Sequence, residues 1–299
     1  MKTTAFLVFS VLAALATAIC WLVWKLREQM TDNPVDDLKC DILLFFATQT
    51  EREQLERGAA ELELPFEERN DAHVGTYYSL GTIGPNRVRA VKTRMGSFFH
   101  QGSASQAIVL LAASSATSII QVGMAFGIDR NAQKHGDVLV SQWLFPYDYR
   151  IIDHLAGQQG QVDRYNIDYS ETKRFLAKRS LLSLFEQERT TGRHEFAIHF
   201  GGMLSGGSRI RSQLYLRELL IAVTGGEGPG GYIGGEMEGV GLLAASKRAE
   251  PVWVIVKGIS DFADDQQRDE AEAHRPDACL NAVRFVLAAL RRVEELFAE

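Results

Sequence analysis

Three acidic segments of the chain lie at or just beyond the ends of predicted strands. Glu51 follows one apolar run, the Gly-Glu-Met-Glu-Gly segment at 235–239 enters a stretch of small residues, and Asp261 follows a second apolar run. Because parallel α/β sheets bind ligands outside the carboxyl ends of their strands, we expect these side chains to face one site. Carboxyl groups gathered in this way are suited to general acid–base chemistry.

Each of these acids also has a purely structural interpretation. A carboxylate in the first turn of a helix is stabilised by the helix dipole without any catalytic role. That alternative stays open for each acid taken singly. Three acids on three separate strand ends nevertheless favour a shared site.

Other motifs resemble functional signatures but lack the required context. Residues 226–231 match G-x-G-x-x-G, yet they follow a predicted helix and contain Pro229, which predicts a loop rather than a dinucleotide site. The sequence contains no G-x-x-x-x-G-K-[ST], so a phosphate-binding loop of that type is excluded. His194 and His199 are five apart on a predicted strand, would point to opposite faces, and make a poor ligand pair.

The composition argues against two further classes of protein. With 32 Lys and Arg against 38 Asp and Glu, the net charge is −6 and no long basic run occurs, so a nucleic-acid partner is not expected. The three cysteines are scattered and show no C-x-x-C spacing, which disfavours a disulfide framework and a structural zinc site. We expect neither a metal nor a cofactor.

Predicted strands and helices alternate along the chain after residue 40. Strands are predicted at 41–48, 76–82, 87–91, 118–124, 138–141, 196–200, 232–233 and 252–256. Helices are predicted at 51–61, 103–115, 171–188, 214–223, 237–246 and 280–297. This order predicts an α/β fold with a mixed, largely parallel central sheet flanked by helices.

The N-terminal segment has a different character. Residues 4–24 are 21 consecutive uncharged residues, enough for a helix of about 31 Å, which matches a bilayer core of about 30 Å. Lys25 and Arg27 follow it, and this charge bias predicts a single-pass anchor with the large domain in the cytoplasm. A cleaved signal peptide is the alternative, although the apolar run continues past the Ala-x-Ala pattern at 16–18. Residues 25–38 are predicted to be a linker and 39–299 the catalytic domain.

Two motifs together resemble a known family. Glu-Met-Glu-Gly at 236–239 and Ile-Ser-Asp-x-Ala-Asp at 259–264 are similar to motifs of the nucleoside phosphorylase/nucleosidase superfamily, and within it of the methylthioadenosine/S-adenosylhomocysteine nucleosidases. Segments 47–51, 122–127 and 205–210 resemble other family motifs in the same order. The likeness extends over residues 40–297 and implies a nucleoside phosphorylase-like fold.

The resemblance implies a role for each matching residue. Asp261 would protonate the departing purine, and Glu51 would position or deprotonate the attacking water. Met237 and Glu238 would hold the ribose, and Ile210 would contact the base. The other residues that it places around the substrate are Glu236, Met124, Arg209 and Ser260.

Three positions depart from the family pattern. Met124 stands where the nucleosidases carry Ser, Phe126 where they carry Gly, and Arg209 where an aromatic residue is common. Arg209 and Arg211 could bind phosphates, or they could be solvated surface charges, so the substrate is expected to be a purine nucleoside or a nucleotide.

The resemblance implies a purine nucleosidase that forms a homo-oligomer, and the predicted anchor at residues 4–24 would hold it at a membrane, which by the analogy below is the bacterial inner membrane. The resemblance also bears on the nucleophile, because phosphorylases of this superfamily carry a phosphate-binding Gly-Asp-Pro-x-Arg segment after the first strand. Here residues 47–51 occupy that place and end in an acid, which would repel phosphate. Hydrolysis is therefore expected. A phosphate-dependent phosphorylase and a catalytically silent nucleotide sensor are the alternatives. By analogy, an anchored nucleosidase resembles the nucleotide-depleting effectors of bacterial anti-phage systems.

Overall fold

The computed structural model describes residues 38–72, 74–155, 164–226, 228–246, 251–264 and 268–292. Its strands are β1 (Ile42–Phe46), β2 (Glu67–Asp71), β3 (Gly75–Ile83), β4 (Asn86–Lys92), β5 (Ser118–Gly127), β6 (Val138–Pro146), β7 (Ile151–Leu155), β8 (Arg164–Asp168), β9 (Phe175–Leu176), β10 (Ile198–Ser205), β11 (Tyr232–Glu236) and β12 (Trp253–Asp261). Its helices are α1 (Gln49–Glu61), α2 (Ser103–Ser114), α3 (Arg179–Thr191), α4 (Gln213–Thr224), α5 (Gly239–Leu242) and α6 (Arg268–Arg291), with a 3-10 turn at Leu243–Ala245. These elements belong to one compact unit, Cys40–Glu299.

The predicted membrane span, residues 4–24, lies outside the described residues. Within the described part of the chain, no helix combines the length and the apolar character needed to cross a bilayer.

The main sheet consists of two parallel blocks that run against each other. Strands β4, β1, β5 and β12 are parallel neighbours, and so are β6, β10 and β11. The two blocks meet in an antiparallel pairing of β12 with β6. Strands β2 and β3 extend the first block as an antiparallel meander, and β7 and β8 form a separate hairpin.

A second pairing brings the carboxyl ends of the two blocks together. Strand β11 pairs with β5 only at Gly234–Gly127 and Gly235–Phe126, so the last residues of each strand overlap. The approach requires glycine, because a Cβ at Gly234 would lie 2.4 Å from the Phe126 carbonyl oxygen. Residues that follow β1, β5, β10, β11 and β12 can therefore meet at one place although the blocks are antiparallel.

Helices α1 and α6 cover one face of the first block. Helix α6 packs directly on β12, since a Cβ at Gly258 would lie 1.9 Å from the Ala278 carbonyl oxygen. Helix α1 packs on α6 where a Cβ at Gly58 would lie 2.4 Å from Val283 Cγ1. Strand β1 is buried along its whole length, as the continuous apolar run predicted.

The α/β fold and its mixed sheet are confirmed, while three predicted helices are wrong in their bounds. The helix predicted at 171–188 begins only at Arg179, because Ala177 and Lys178 donate backbone hydrogen bonds to the Gln142 and Trp253 carbonyls at the sheet. The helix predicted at 237–246 is a single turn followed by a 3-10 turn. The helix predicted from 280 begins at Arg268 and contains Pro276.

Candidate active site

One cavity of about 180 Å³ brings together the nine candidate site residues, whereas Arg211 is not part of its lining. These residues are Glu51, Met124, Arg209, Ile210, Glu236, Met237, Glu238, Ser260 and Asp261. They come from the carboxyl ends of β1, β5, β10, β11 and β12 or from the turns that follow. Met95 and Arg275 also line the cavity, and nothing in the sequence indicated Arg275.

A larger cavity of about 540 Å³ lies between α4 and the turn after β5. Its acid, Asp129, accepts the backbone N–H groups of Asn131 and Ala132 and so forms a local turn. Of these two cavities, the smaller one is the one that groups several carboxylates.

Glu51 is held by the start of its own helix. Thr48 caps α1, and its hydroxyl accepts the Glu51 N–H at 3.2 Å. In return, Glu51 Oε2 accepts the N–H groups of Ala47 and Thr48, each at 2.7 Å, which completes a capping box. The structural interpretation of this acid is therefore correct, but it does not account for the other carboxylate oxygen.

That second oxygen faces the cavity. Glu51 Oε1 accepts the Met124 N–H at 3.0 Å, and since a carboxylate oxygen has two lone pairs, one remains for a ligand or a water. Gly123 makes the approach possible: its φ is +154°, and a Cβ there would lie 1.9 Å from Oε1. The glycine and the capping box together fix the position of this oxygen.

Glu236 and Glu238 have different surroundings. Glu236 accepts the N–H groups of Glu238 and Gly239 at 2.8–3.0 Å and so supports the turn into α5. Glu238 Oε1 accepts the Gly96 N–H at 3.2 Å, and both acids are about 95% buried. Glu236 thus supports the turn, while Glu238 Oε1 accepts a single N–H and keeps one lone pair for a ligand.

A buried lysine offsets one of the two negative charges of this pair of acids. Lys257 Nζ lies 2.6 Å from Glu238 Oε2 and 3.3 Å from Glu236 Oε2, and its side chain is 1% exposed. Burial alone would lower the pKa of Lys257, but the charges of Glu238, Glu236 and Glu51 raise it above its ordinary value. The three carboxylates therefore favour the protonated form of Lys257.

Sequence reasoning missed the importance of this lysine, although a signal was present. Lys257 directly follows the apolar run 252–256. A lysine that continues a fully buried strand must have a carboxylate partner, because an unpaired buried charge is costly. The two acids of the 236–239 motif were the natural candidates.

Asp261 and Ser260 both reach the cavity although they are adjacent on one strand. Successive side chains of a regular strand point to opposite faces, but the register of β12 against β5 shifts between Ile259 and Asp261. The bulge turns both residues toward the cavity. The Ser260 hydroxyl donates to Asp261 Oδ2 at 3.0 Å, and Asp261 Oδ1 accepts the Ala263 N–H at 3.0 Å. Asp261 is the last residue of β12 rather than a residue beyond it.

The turn after β10 supplies the remaining wall. The buried Tyr147 donates its hydroxyl to the Ser208 carbonyl at 2.7 Å, which anchors the turn to β6. Ile210 is buried and presents an apolar surface, while Arg209 is exposed at the cavity. An apolar wall beside a carboxyl group is suited to a flat heterocycle with one ring nitrogen to protonate.

A two-block mixed sheet with carboxylates at converging strand ends defines the class of this protein. A family model described as the phosphorylase superfamily matches residues 41–291, and the chain belongs to that superfamily. No curated protein matches the sequence.

Several solved structures share the fold. A 5′-methylthioadenosine/S-adenosylhomocysteine nucleosidase from Neisseria meningitidis, in complex with methylthio-immucillin-A, matches 84% of this chain and 99% of its own at 17% identity, with a TM-score of 0.64. The corresponding nucleosidase from Colwellia psychrerythraea, in complex with adenine, matches 84% and 95% at 18% identity and a TM-score of 0.63. A futalosine hydrolase from Helicobacter pylori matches 84% and 97% at 17% identity and a TM-score of 0.62.

Proposed function

We propose that this chain is a purine nucleosidase that hydrolyses the N-glycosidic bond of an adenosine-type nucleoside or nucleotide. The observation that carries the proposal is the arrangement of Glu51, Glu238 and Asp261 around one cavity. The similar folds named above include nucleosidases, one of them crystallised with adenine, which supports a purine as the leaving group.

Each acid has a distinct task in the proposed reaction. As the C1′–N bond breaks, Asp261 gives a proton to the purine, which leaves as the neutral base. Glu238 accepts hydrogen bonds from the ribose hydroxyls and stabilises the positive charge that develops on the sugar. Glu51 Oε1 holds a water, takes its proton as the oxygen bonds to C1′, and so yields the free sugar.

Hydrolysis is favoured over phosphorolysis by the charge near the nucleophile. The nucleophile position lies beside Glu51, whose carboxylate would repel a phosphate anion. Phosphorolysis would need a cluster of cationic or N–H donors at this place, whereas the backbone N–H groups of Ala47, Thr48 and Met124 here point at Glu51 itself.

The proposal is tested by incubating the full-length protein with adenosine, methylthioadenosine, S-adenosylhomocysteine and adenosine 5′-monophosphate and measuring free adenine by chromatography. Asp261→Asn should keep the fold and lower turnover by about 10²–10⁴-fold, since an amide cannot act as the acid.

Asp264→Asn is the matched control. Asp264 lies three residues after Asp261, is 10% exposed, and forms an ion pair with Arg130. The Arg130 guanidinium lies 4.5 Å from the centre of the Phe262 ring, so Asp264 has a structural partner outside the proposed reaction. This variant should have a much smaller effect on turnover. Near-normal turnover of Asp261→Asn would contradict the proposed mechanism and indicate another acid, whereas a wild-type protein without any turnover would favour a silent sensor.

We further propose that residues 4–24 anchor the enzyme in the bacterial inner membrane with the catalytic domain in the cytoplasm, and that the chain forms a homo-oligomer. The uncharged 21-residue run supports the anchor. Phe98 and Phe99, 72% and 69% exposed in the segment that contributes Met95 to the cavity, support association. An anchored nucleotide-cleaving enzyme would fit a role in depleting nucleotides during phage infection.

A further inference from the structure

Arg275 is a cationic cavity residue without a task in the proposed reaction. It lies on α6 and lines the same cavity as the catalytic acids. Its Nη1 lies 3.7 Å from Glu272 Oε1, one helical turn earlier, and their side chains are 24% and 52% exposed. A loose ion pair of this kind at the surface contributes little, so a stronger anion could replace Glu272 readily.

The acids of the cavity take their contacts from groups other than Arg275. Glu236 and Glu238 share the buried Lys257, Glu51 accepts three backbone N–H groups, and Asp261 contacts the Ser260 hydroxyl and the Ala263 N–H. The ion-pair partner of Arg275 is the half-exposed Glu272, which lets the guanidinium turn to an anionic ligand in the cavity. A guanidinium presents parallel N–H donors that match the oxygens of a phosphate.

The chemistry of the cavity limits where on the substrate such a phosphate can be. Glu238 is placed to accept ribose hydroxyls, and its carboxylate would repel a phosphate on those oxygens. Asp261 is placed at the base. The remaining substituent of the ribose is the one on C5′, which in adenosine is an uncharged hydroxyl that gives a guanidinium no charge to bind.

We propose that the substrate of this site is a purine nucleoside 5′-phosphate and that Arg275 binds its phosphate. The inference rests on the proposed nucleosidase function and makes it more specific. It assigns Arg275 to substrate selection, with no part in proton transfer.

The test compares adenosine with adenosine 5′-monophosphate as substrates of the full-length protein, with free adenine as the product measured. The wild-type kcat/KM should favour the monophosphate by about 10–100-fold, which is the range of a charge-assisted hydrogen bond. Arg275→Gln should remove most of this preference by raising KM for the monophosphate, while adenosine cleavage stays within about threefold of wild type.

Arg284→Gln is the matched control on the same helix. The Arg284 guanidinium donates two hydrogen bonds to Glu61, at 2.7 and 2.8 Å, and lies away from the cavity lining. This variant should leave the preference between the two substrates unchanged.

The possible failures are distinguishable. If wild type cleaves adenosine as efficiently as the monophosphate, or if Arg275→Gln lowers both rates equally, the assignment is wrong while the nucleosidase proposal stands. If neither substrate nor the other purine nucleosides release adenine, the nucleosidase proposal is wrong and this inference falls with it.

Discussion

Replacing Lys257 with methionine should destabilise the fold more than any comparable change at a surface ion pair. Methionine keeps most of the volume of the side chain and removes the charge. The change leaves Glu236 and Glu238, both about 95% buried, without the cation that lies 3.3 and 2.6 Å from them. Removing one partner of a buried ion pair typically costs about 3–5 kcal/mol.

We expect the lower end of that range for this pair. Glu236 keeps the backbone N–H groups of Glu238 and Gly239, and Glu238 keeps the N–H of Gly96, so neither carboxylate loses all its partners. A loss of about 3 kcal/mol is still large against a total free energy of unfolding of about 5–15 kcal/mol.

The assay is equilibrium unfolding in urea, followed by tryptophan fluorescence. Trp253, at the start of the strand that carries Lys257, is fully buried and should report exposure of that strand. Arg284→Met is the control, because its pair with Glu61 is 44% and 33% exposed and should contribute no more than about 1 kcal/mol.

A charge-balanced variant gives a second check. Adding Glu236→Gln and Glu238→Gln to Lys257→Met removes the buried negative charges and should recover part of the lost stability. If Lys257→Met costs no more than Arg284→Met, the three side chains are not the buried charge cluster described above.

Three further outcomes are expected. Gly123→Ala should abolish turnover, because the added Cβ would lie 1.9 Å from Glu51 Oε1. Gly226→Ala should behave as wild type, because nothing lies within 4 Å of a Cβ there, and equal turnover in the two variants would contradict this expectation. Cys40 and Cys279 should resist iodoacetamide at pH 8 until the protein unfolds, because burial raises the pKa of Cys40 to about 11 and the pKa of Cys279 well above its ordinary value. Peptide mapping distinguishes them from Cys20, and rapid labelling of Cys40 or Cys279 in the folded protein would contradict this expectation. Full-length protein should stay in the membrane fraction after a high-salt wash through residues 4–24, and release by salt alone would exclude the anchor.

The parts of the fold that sequence predicted best are those where hydrophobicity alone decides. The run Ile42–Phe46 is continuous and apolar, and it forms a strand buried on both faces. The polar strand Glu67–Asp71 was missed, because it is an exposed edge strand formed by pairing with β3 rather than by burial of its own side chains. The two strands of the β7–β8 hairpin were missed for the same reason, because they are defined by their pairing with each other and not by a pattern of buried side chains.

The C-terminal helix begins earlier than predicted. The sequence predicted a helix at 280–297, but α6 begins at Arg268 and continues through Pro276, although proline is unfavourable inside a helix. As a consequence Arg275 was assigned to no element, and its place on the cavity wall could not be foreseen.

The candidate site was accessible from sequence as far as its acids were concerned. The motifs predicted nine site residues, and the structure places these nine in the lining of one cavity. Sequence could not reveal that Glu51 both caps a helix and faces the cavity, because this depends on the approach of Gly123 from another strand. Nor could it reveal that a bulge turns Ser260 and Asp261 to the same side.

The identity of the sugar product distinguishes the proposed hydrolysis from phosphorolysis and from binding without cleavage. Full-length protein is incubated with a purine nucleoside or its 5′-phosphate, once in phosphate-free buffer and once with added inorganic phosphate, and base and sugar are quantified together. We expect free purine and a sugar with a free hydroxyl at C1, in equal amounts and at the same rate in both buffers. A requirement for phosphate with a sugar 1-phosphate as product, or binding of the substrate without any release of base, would contradict this expectation.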